Sequence, residues 1–125
     1  MVLVDTNVII EAFKGAQETI ELLERTGLKN LVASTITQME LYIGALNKNE
    51  LNLIRNRLRN IKILDINKKI SQKSAELVYN YSKSHNLDIP DSIIAATALI
   101  HNIPLLTYNL RDFRFIPDLN LYPVD

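Results

Sequence analysis

The chain has 125 residues, with 14 basic and 14 acidic side chains and a formal net charge of zero. Hydrophobic residues make up 47% and charged residues 22%, which suits one globular core and excludes a disordered polar chain. The absence of cysteine removes thiolate metal sites, cysteine nucleophiles and disulfide frameworks, and the neutral total weakens any picture of DNA coating by bulk charge while leaving room for a local basic patch.

Val2-Leu3-Val4 is a continuous apolar run, the pattern of a strand buried on both faces of a parallel sheet. Asp5 follows at once, so neither a basic leader nor the apolar core of a signal peptide is present. Thr6 to Phe13 reads as a helix ended by Gly15, and Ala16 to Arg25 as a second, ended by Gly27. Leu31 to Ser34 is the next strand, followed by a helix from about Thr37 to Leu46 and another from Asn49 to Asn60. Ile61 to Ile66 is a third strand. Ser71 to His85 is a long amphipathic helix with Ala75, Val78, Tyr79 and Ser82 on one face. Pro90 opens a further helix, Asp91 to His101, apolar enough between Ile93 and Ile100 to be buried. Ile103 to Thr107 is a fourth strand, and Leu119 to Tyr122 a short edge strand.

Strands alternating with helices predict an α/β fold whose parallel sheet carries helices on both faces, a single domain spanning residues 1–125. No stretch approaches the roughly 18 apolar residues of a membrane span, so the expectation is a soluble, cytoplasmic protein. In such sheets ligands gather outside the carboxyl ends of the strands, where strand order reverses.

Four acids fall in places that feed this edge. Asp5 follows the first strand, Glu40 lies one turn into the helix after the second, Asp91 sits in the first turn of the buried helix, and Asp112 follows the fourth strand. Two carboxylates about 4 Å apart repel by about 4 kcal/mol at an effective dielectric near 20, so such a cluster calls for a cation. All-oxygen donors favour Mg2+ or Mn2+ over Zn2+ or Cu2+. Taken singly, each acid has a plainer use. Asp5 suits a helix cap, Thr37 with Glu40 a capping box, Asp88 and Asp91 the positive end of a helix, and Asp112 a turn. Their joint placement at one edge is what points to chemistry.

Val2 to Asn7 resembles the opening motif of the PIN-domain ribonucleases. Ser34 to Leu41 resembles their second acidic motif, Asp91 to Ala98 the third, and Leu106 to Asn109 with Asp112-Phe113 the fourth. The likeness spans essentially the whole chain in order, and its compactness is closest to VapC-type toxins of toxin–antitoxin pairs. The resemblance implies a three-layer α/β/α sandwich, with Asp5, Glu40, Asp91 and Asp112 as the catalytic, metal-binding acids. It further implies Mg2+- or Mn2+-dependent endoribonuclease activity, a homodimer, and neutralisation by a cognate antitoxin protein. Thr107 and Asn109 would be polar support, and Thr6 would help to orient Asp5. Whether Asp88 joins the site, and whether Asn109 or Asp112 faces the metal, stays open at this level.

RNA would have to be gripped by other groups. Arg111 and Arg114 flank the proposed site and are the candidates for this. Arg55, Arg57, Arg59 and Lys62, like Lys68, Lys69 and Lys73, read more simply as solvated faces. Tyr108 suits either stacking on a base or packing. His85 and His101 have no acidic neighbour, the first reading as solvated and the second as the end of its helix. The principal rival is a non-catalytic member of the same fold that binds RNA or a partner. A phosphoacceptor receiver would use Asp65 after the third strand but lacks paired acids after the first. A haloacid-type phosphatase would need an acid where Asn7 stands. Gly15, Gly27 and Gly44 form no dinucleotide-binding motif.

Overall fold

The computed structural model describes all 125 residues, Met1–Asp125. Strands β1 (Val2–Val4), β2 (Leu31–Ser34), β3 (Lys62–Leu64) and β4 (Leu105–Leu106) form one parallel sheet in the order β3-β2-β1-β4. The helices are α1 (Thr6–Phe13), α2 (Gln17–Thr26), α3 (Thr35–Ile43), α4 (Lys48–Leu58), α5 (Lys68–His85) and α6 (Ile89–His101).

Side-chain alternation along the strands builds the layers. Val2 and Val4 of β1, Leu31 and Ala33 of β2 and Leu106 of β4 pack with Val8, Ile9, Leu22, Leu23, Leu41, Ile54 and Leu58. Leu3, Val32 and Leu105 face the other way, against Ile70 and Leu77 of α5 and Ile94, Ala95 and Ala98 of α6. The result is the expected three-layer α/β/α sandwich, with α1 to α4 on one face and α5 and α6 on the other. The small residues of α6 allow its backbone to lie close to the sheet, which is why this helix is apolar nearly all round.

After β1 the chain moves outward through β2 and β3, then returns to place β4 on the free side of β1. Strand order therefore reverses at β1, and the crevice between the carboxyl ends of β1 and β4 is the switch point. A receiver topology is excluded here, because that fold sets its third strand beside its first, whereas β3 borders only β2.

Several boundaries differ from the sequence reading. The third helix starts at Thr35, capped by the Ser34 hydroxyl on the Ile36 amide, and ends at Ile43. Thr37 is thus interior, and the capping box expected between Thr37 and Glu40 does not form. Asn67 caps α5, starting it three residues earlier than expected. The buried face of α5 is Ile70, Ser74 and Leu77, while Tyr79 is 88% exposed; Ala75 also lies outside the buried face. Ser74 tolerates burial because its hydroxyl donates to the Ile70 carbonyl one turn back. The edge strand expected at Leu119 to Tyr122 is reduced to one parallel bridge, Leu105 to Leu121. His85 is exposed yet not free, since its ring stacks on Phe115 at 4.1 Å and its Nδ1 lies 2.8 Å from the Ser84 hydroxyl. His101 ends α6 as expected, with Asn102 in the left-handed region as the cap.

Candidate active site

Asp5 stands where β1 gives way to α1, and its exposure is 4%. Its backbone amide donates to the Leu106 carbonyl at 2.9 Å, which ties the ends of β1 and β4 together. One carboxylate oxygen, Oδ1, accepts from the Thr6 amide at 2.8 Å, so Asp5 does cap α1. The other, Oδ2, accepts from the hydroxyl of fully buried Thr107 at 2.7 Å. Thr107 Oγ1 in turn accepts from the Asn109 amide at 3.0 Å, so the turn after β4 is folded around this hydroxyl. The capping reading of Asp5 is therefore realised, and its second oxygen ties the cap to the end of β4.

Burial raises the Asp5 carboxyl above its ordinary value near 3.8. The two hydrogen bonds oppose that rise, while the charges of Glu40 and Asp112 add to it. Asp91, in the first turn of α6, is pushed up to about 7 by desolvation first and then by the charges of Asp88, Asp5, Asp112 and Glu40. Acids from four distant parts of the chain thus share one electrostatic environment.

Glu40 is half-buried on α3, and its Oε1 accepts from the Thr6 hydroxyl at 2.7 Å. The same hydroxyl lies 2.9 Å from Thr37 Oγ1. With a single proton it can donate to only one of them at a time, and the carboxylate is the stronger acceptor. Thr6 therefore meets Asp5 through its backbone amide, while its side chain meets Glu40. Thr37 was not singled out as a site residue, and its partner 31 positions away leaves no mark in local sequence.

Asp112 is exposed in a 3₁₀ turn, Leu110–Asp112, and acts on Asp5 and Asp91 through its charge. Asn109 contributes its backbone amide to Thr107, and its side chain is exposed. Asp88 caps α6 through the Asp91 amide at 2.9 Å, which accounts for its presence beside the site. Arg111 and Arg114 are exposed on the same turn, and neither forms an ion pair.

No three of these carboxylates stand close enough together to enclose a metal ion by themselves. Their chemistry nonetheless fits Mg2+ or Mn2+: hard oxygens only, and Mg2+ commonly keeps several waters and takes one or two carboxylates together with substrate phosphate oxygens.

The family model for the PIN domain matches residues 2–118. The chain belongs to the PIN-domain family. This PIN domain is 29% identical over 122 residues to a Mycobacterium tuberculosis protein named Ribonuclease VapC19, covering 95% of this chain and 97% of that one. Among solved structures, it superposes with a TM-score of 0.80 at 34% identity on a chain of a toxin–antitoxin complex from Klebsiella pneumoniae, over 95% of each. VapBC2 from Rickettsia felis, solved on a DNA fragment from its promoter, matches with a TM-score of 0.78 at 26% identity over 98% of each chain. The fold and the family expected from the four motifs are the ones observed.

Proposed function

We propose that this PIN domain is a divalent-metal-dependent endoribonuclease, a hydrolase of RNA phosphodiester bonds, serving as the toxin of a toxin–antitoxin pair. What supports the reading is that the Thr6 amide and hydroxyl tie Asp5 and Glu40 together at the end of β1, with the charges of Glu40 and Asp112 bearing on both Asp5 and Asp91. The similarity to a VapC ribonuclease and to toxin–antitoxin complexes supports it. The likeness to toxin–antitoxin complexes supports a cognate antitoxin as the neutralising partner, and a homodimer belongs to the proposal through the family resemblance alone. No helix is long and apolar enough to cross a membrane.

Asp5 and Asp91 would be the primary ligands of Mg2+ or Mn2+, with Glu40 and Asp112 completing the set directly or through water. The bound cation would supply Lewis acidity toward phosphoryl oxygens and a water of lowered pKa. The chain's own contribution is placement. Thr107 and the Thr6 amide hold both oxygens of Asp5, so that carboxylate need not reorganise when substrate arrives. The Thr6 hydroxyl sets the angle of Glu40, which would bind metal or orient the attacking water. Arg111 and Arg114 would hold the RNA backbone beside the crevice.

The test is cleavage of RNA by purified protein with Mg2+ or Mn2+, and its loss on adding chelator. RNA binding without cleavage under any divalent cation would overturn the reading in favour of a non-catalytic PIN-fold binding module.

A further inference from the structure

Beside the acidic crevice lies a separate depression of about 670 Å³ between α1, the start of α2 and the turn after β4, lined among others by Asn7, Glu11, Gln17, Glu18, Tyr108 and Asn109. It adjoins the crevice through the chain itself. Thr107 turns inward to Asp5, Tyr108 turns outward into the depression, and Asn109 borders it. A polymer whose phosphate sits at the acids therefore has its adjacent nucleoside within reach of this space.

Tyr108 is 39% exposed, yet it is not loose. Its hydroxyl lies 2.7 Å from the hydroxyl of buried Thr19 on α2, and its backbone amide donates to Asn7 Oδ1 at 3.4 Å. Both ends of the residue are pinned while part of the ring stays open to solvent. A fixed, accessible aromatic ring is what base stacking needs, because little conformational entropy is then lost on binding. The surroundings disfavour phosphate as the occupant. The ionisable side chains lining the depression are Glu11, Glu18 and the Tyr108 phenol; Lys14, outside the lining, pairs with Glu11 at 4.0 Å, which leaves Glu18 as the carboxylate without an ion pair. Carboxylates and amide side chains recognise N–H donors on a base edge. Guanine presents adjacent N1–H and N2–H2 groups that a single carboxylate can accept together. Uracil offers one N–H between two carbonyls, which the carboxylates would repel.

We propose that this depression is a nucleobase subsite, with Tyr108 as its stacking surface and with a preference for guanine over uracil. The proposal rests on the ribonuclease reading for its substrate, and it assigns the nucleotide next to the cleaved phosphate.

Two measurements test it. Binding of guanosine, uridine and ribose to chelator-treated protein, followed by calorimetry or by the Tyr108 ring resonances, avoids charge effects from the acidic crevice. Guanosine should bind about tenfold or more tighter than uridine, ribose should not bind, and Tyr108→Ala should abolish the difference. In cleavage of a short RNA, Tyr108→Ala should raise KM about tenfold with kcat nearly unchanged, and Tyr108→Phe should recover most of the loss. Wild-type cleavage with an unchanged KM in Tyr108→Ala and no nucleoside binding would overturn the subsite, leave the ribonuclease reading intact and give the depression to a protein partner. Guanosine binding in a protein that cleaves no RNA would overturn the ribonuclease reading and keep the subsite.

Discussion

Asp5 leaves β1 with both carboxylate oxygens engaged, one on the Thr6 amide and one on the Thr107 hydroxyl. Asp91, entering the same crevice from α6, meets only desolvation and the charges of four other acids, and its carboxyl is pushed up to about 7. The first is a rigid fixture built by the strand ends, held by hydrogen bonds that offset part of the cost of burial. The second is held by packing of its helix alone, and under the proposed function it is where an incoming cation would act. Held and unheld groups of the same chemistry should respond differently to the same perturbation.

The largest expected effect does not separate them. Asp5→Asn and Asp91→Asn should each lower RNA cleavage about a hundredfold or more, roughly 3 kcal/mol of transition-state stabilisation. The separation comes in stability without metal. Asp5→Asn puts an amide nitrogen where an acceptor is required, so it should lose about 1 kcal/mol. Asp91→Asn relieves repulsion without breaking a hydrogen bond and should gain about 1 kcal/mol. Matched denaturant melts in chelator read both signs, and equal shifts would erase the distinction.

Thr107→Val is nearly isosteric and removes the donor to Asp5 together with the acceptor for the Asn109 amide. It should cost about 2 kcal/mol in stability and lower activity roughly tenfold, since a buried carboxylate oxygen loses its partner. Thr107→Ser should restore most of both. If Val behaves as wild type, the rigidity of Asp5 comes from elsewhere.

The pH dependence follows from the direction of the shifts. Asp91 has a folded value near 7 against about 3.8 unfolded, so between these values the folded state binds the extra proton. Metal-free protein should therefore be more stable near pH 5 than near pH 8, by about 1 kcal/mol after allowing for solvent screening of a half-buried group. Asp5 is raised as well and works in the same direction, so Asp91→Asn should flatten the profile without abolishing the slope. Thermal melts across that range in chelator give the answer, and a wild-type profile that rises with pH would contradict the upward shift that burial and the neighbouring charges impose on Asp91.

Much of this arrangement was legible in the sequence because it follows from strand ends and helix starts. Asp5 after Val2-Leu3-Val4 and Asp91 after Asp88-Ile89-Pro90 had to lie near the carboxyl edge once the parallel sheet was inferred. What was hidden were partners far apart in the chain. Thr6 meets Glu40 across 34 positions and Thr107 meets Asp5 across 102, so no local pattern announces them. The expected Thr37–Glu40 capping box failed because Ser34, three residues earlier, caps the helix first and leaves both side chains for Thr6. On α5 the hydropathy of Ala75 and Val78 pointed to the wrong face, since Ser74 hides its polarity in its own helix.

The smallest expected effect carries the same contrast to the arginines. Arg57 is held: its Nη1 donates to the Phe13 carbonyl at 3.0 Å, satisfying the end of α1, and its guanidinium lies 5.1 Å from the Phe13 ring centroid. Arg111 and Arg114 have no such engagement and are free to meet phosphate. Arg111→Ala with Arg114→Ala should therefore weaken RNA binding by roughly threefold to fivefold near physiological salt, with little change in stability. Two lost phosphate contacts on a single strand should also flatten the slope of log affinity against log salt by about 1.4. Arg57→Ala should do the reverse, lowering the melting temperature and leaving the salt slope unchanged. Binding measured on an Asp91→Asn background, so that no RNA is consumed, gives both slopes. A larger loss of slope at Arg57 than at the Arg111 and Arg114 pair would move the RNA path to the α4 face.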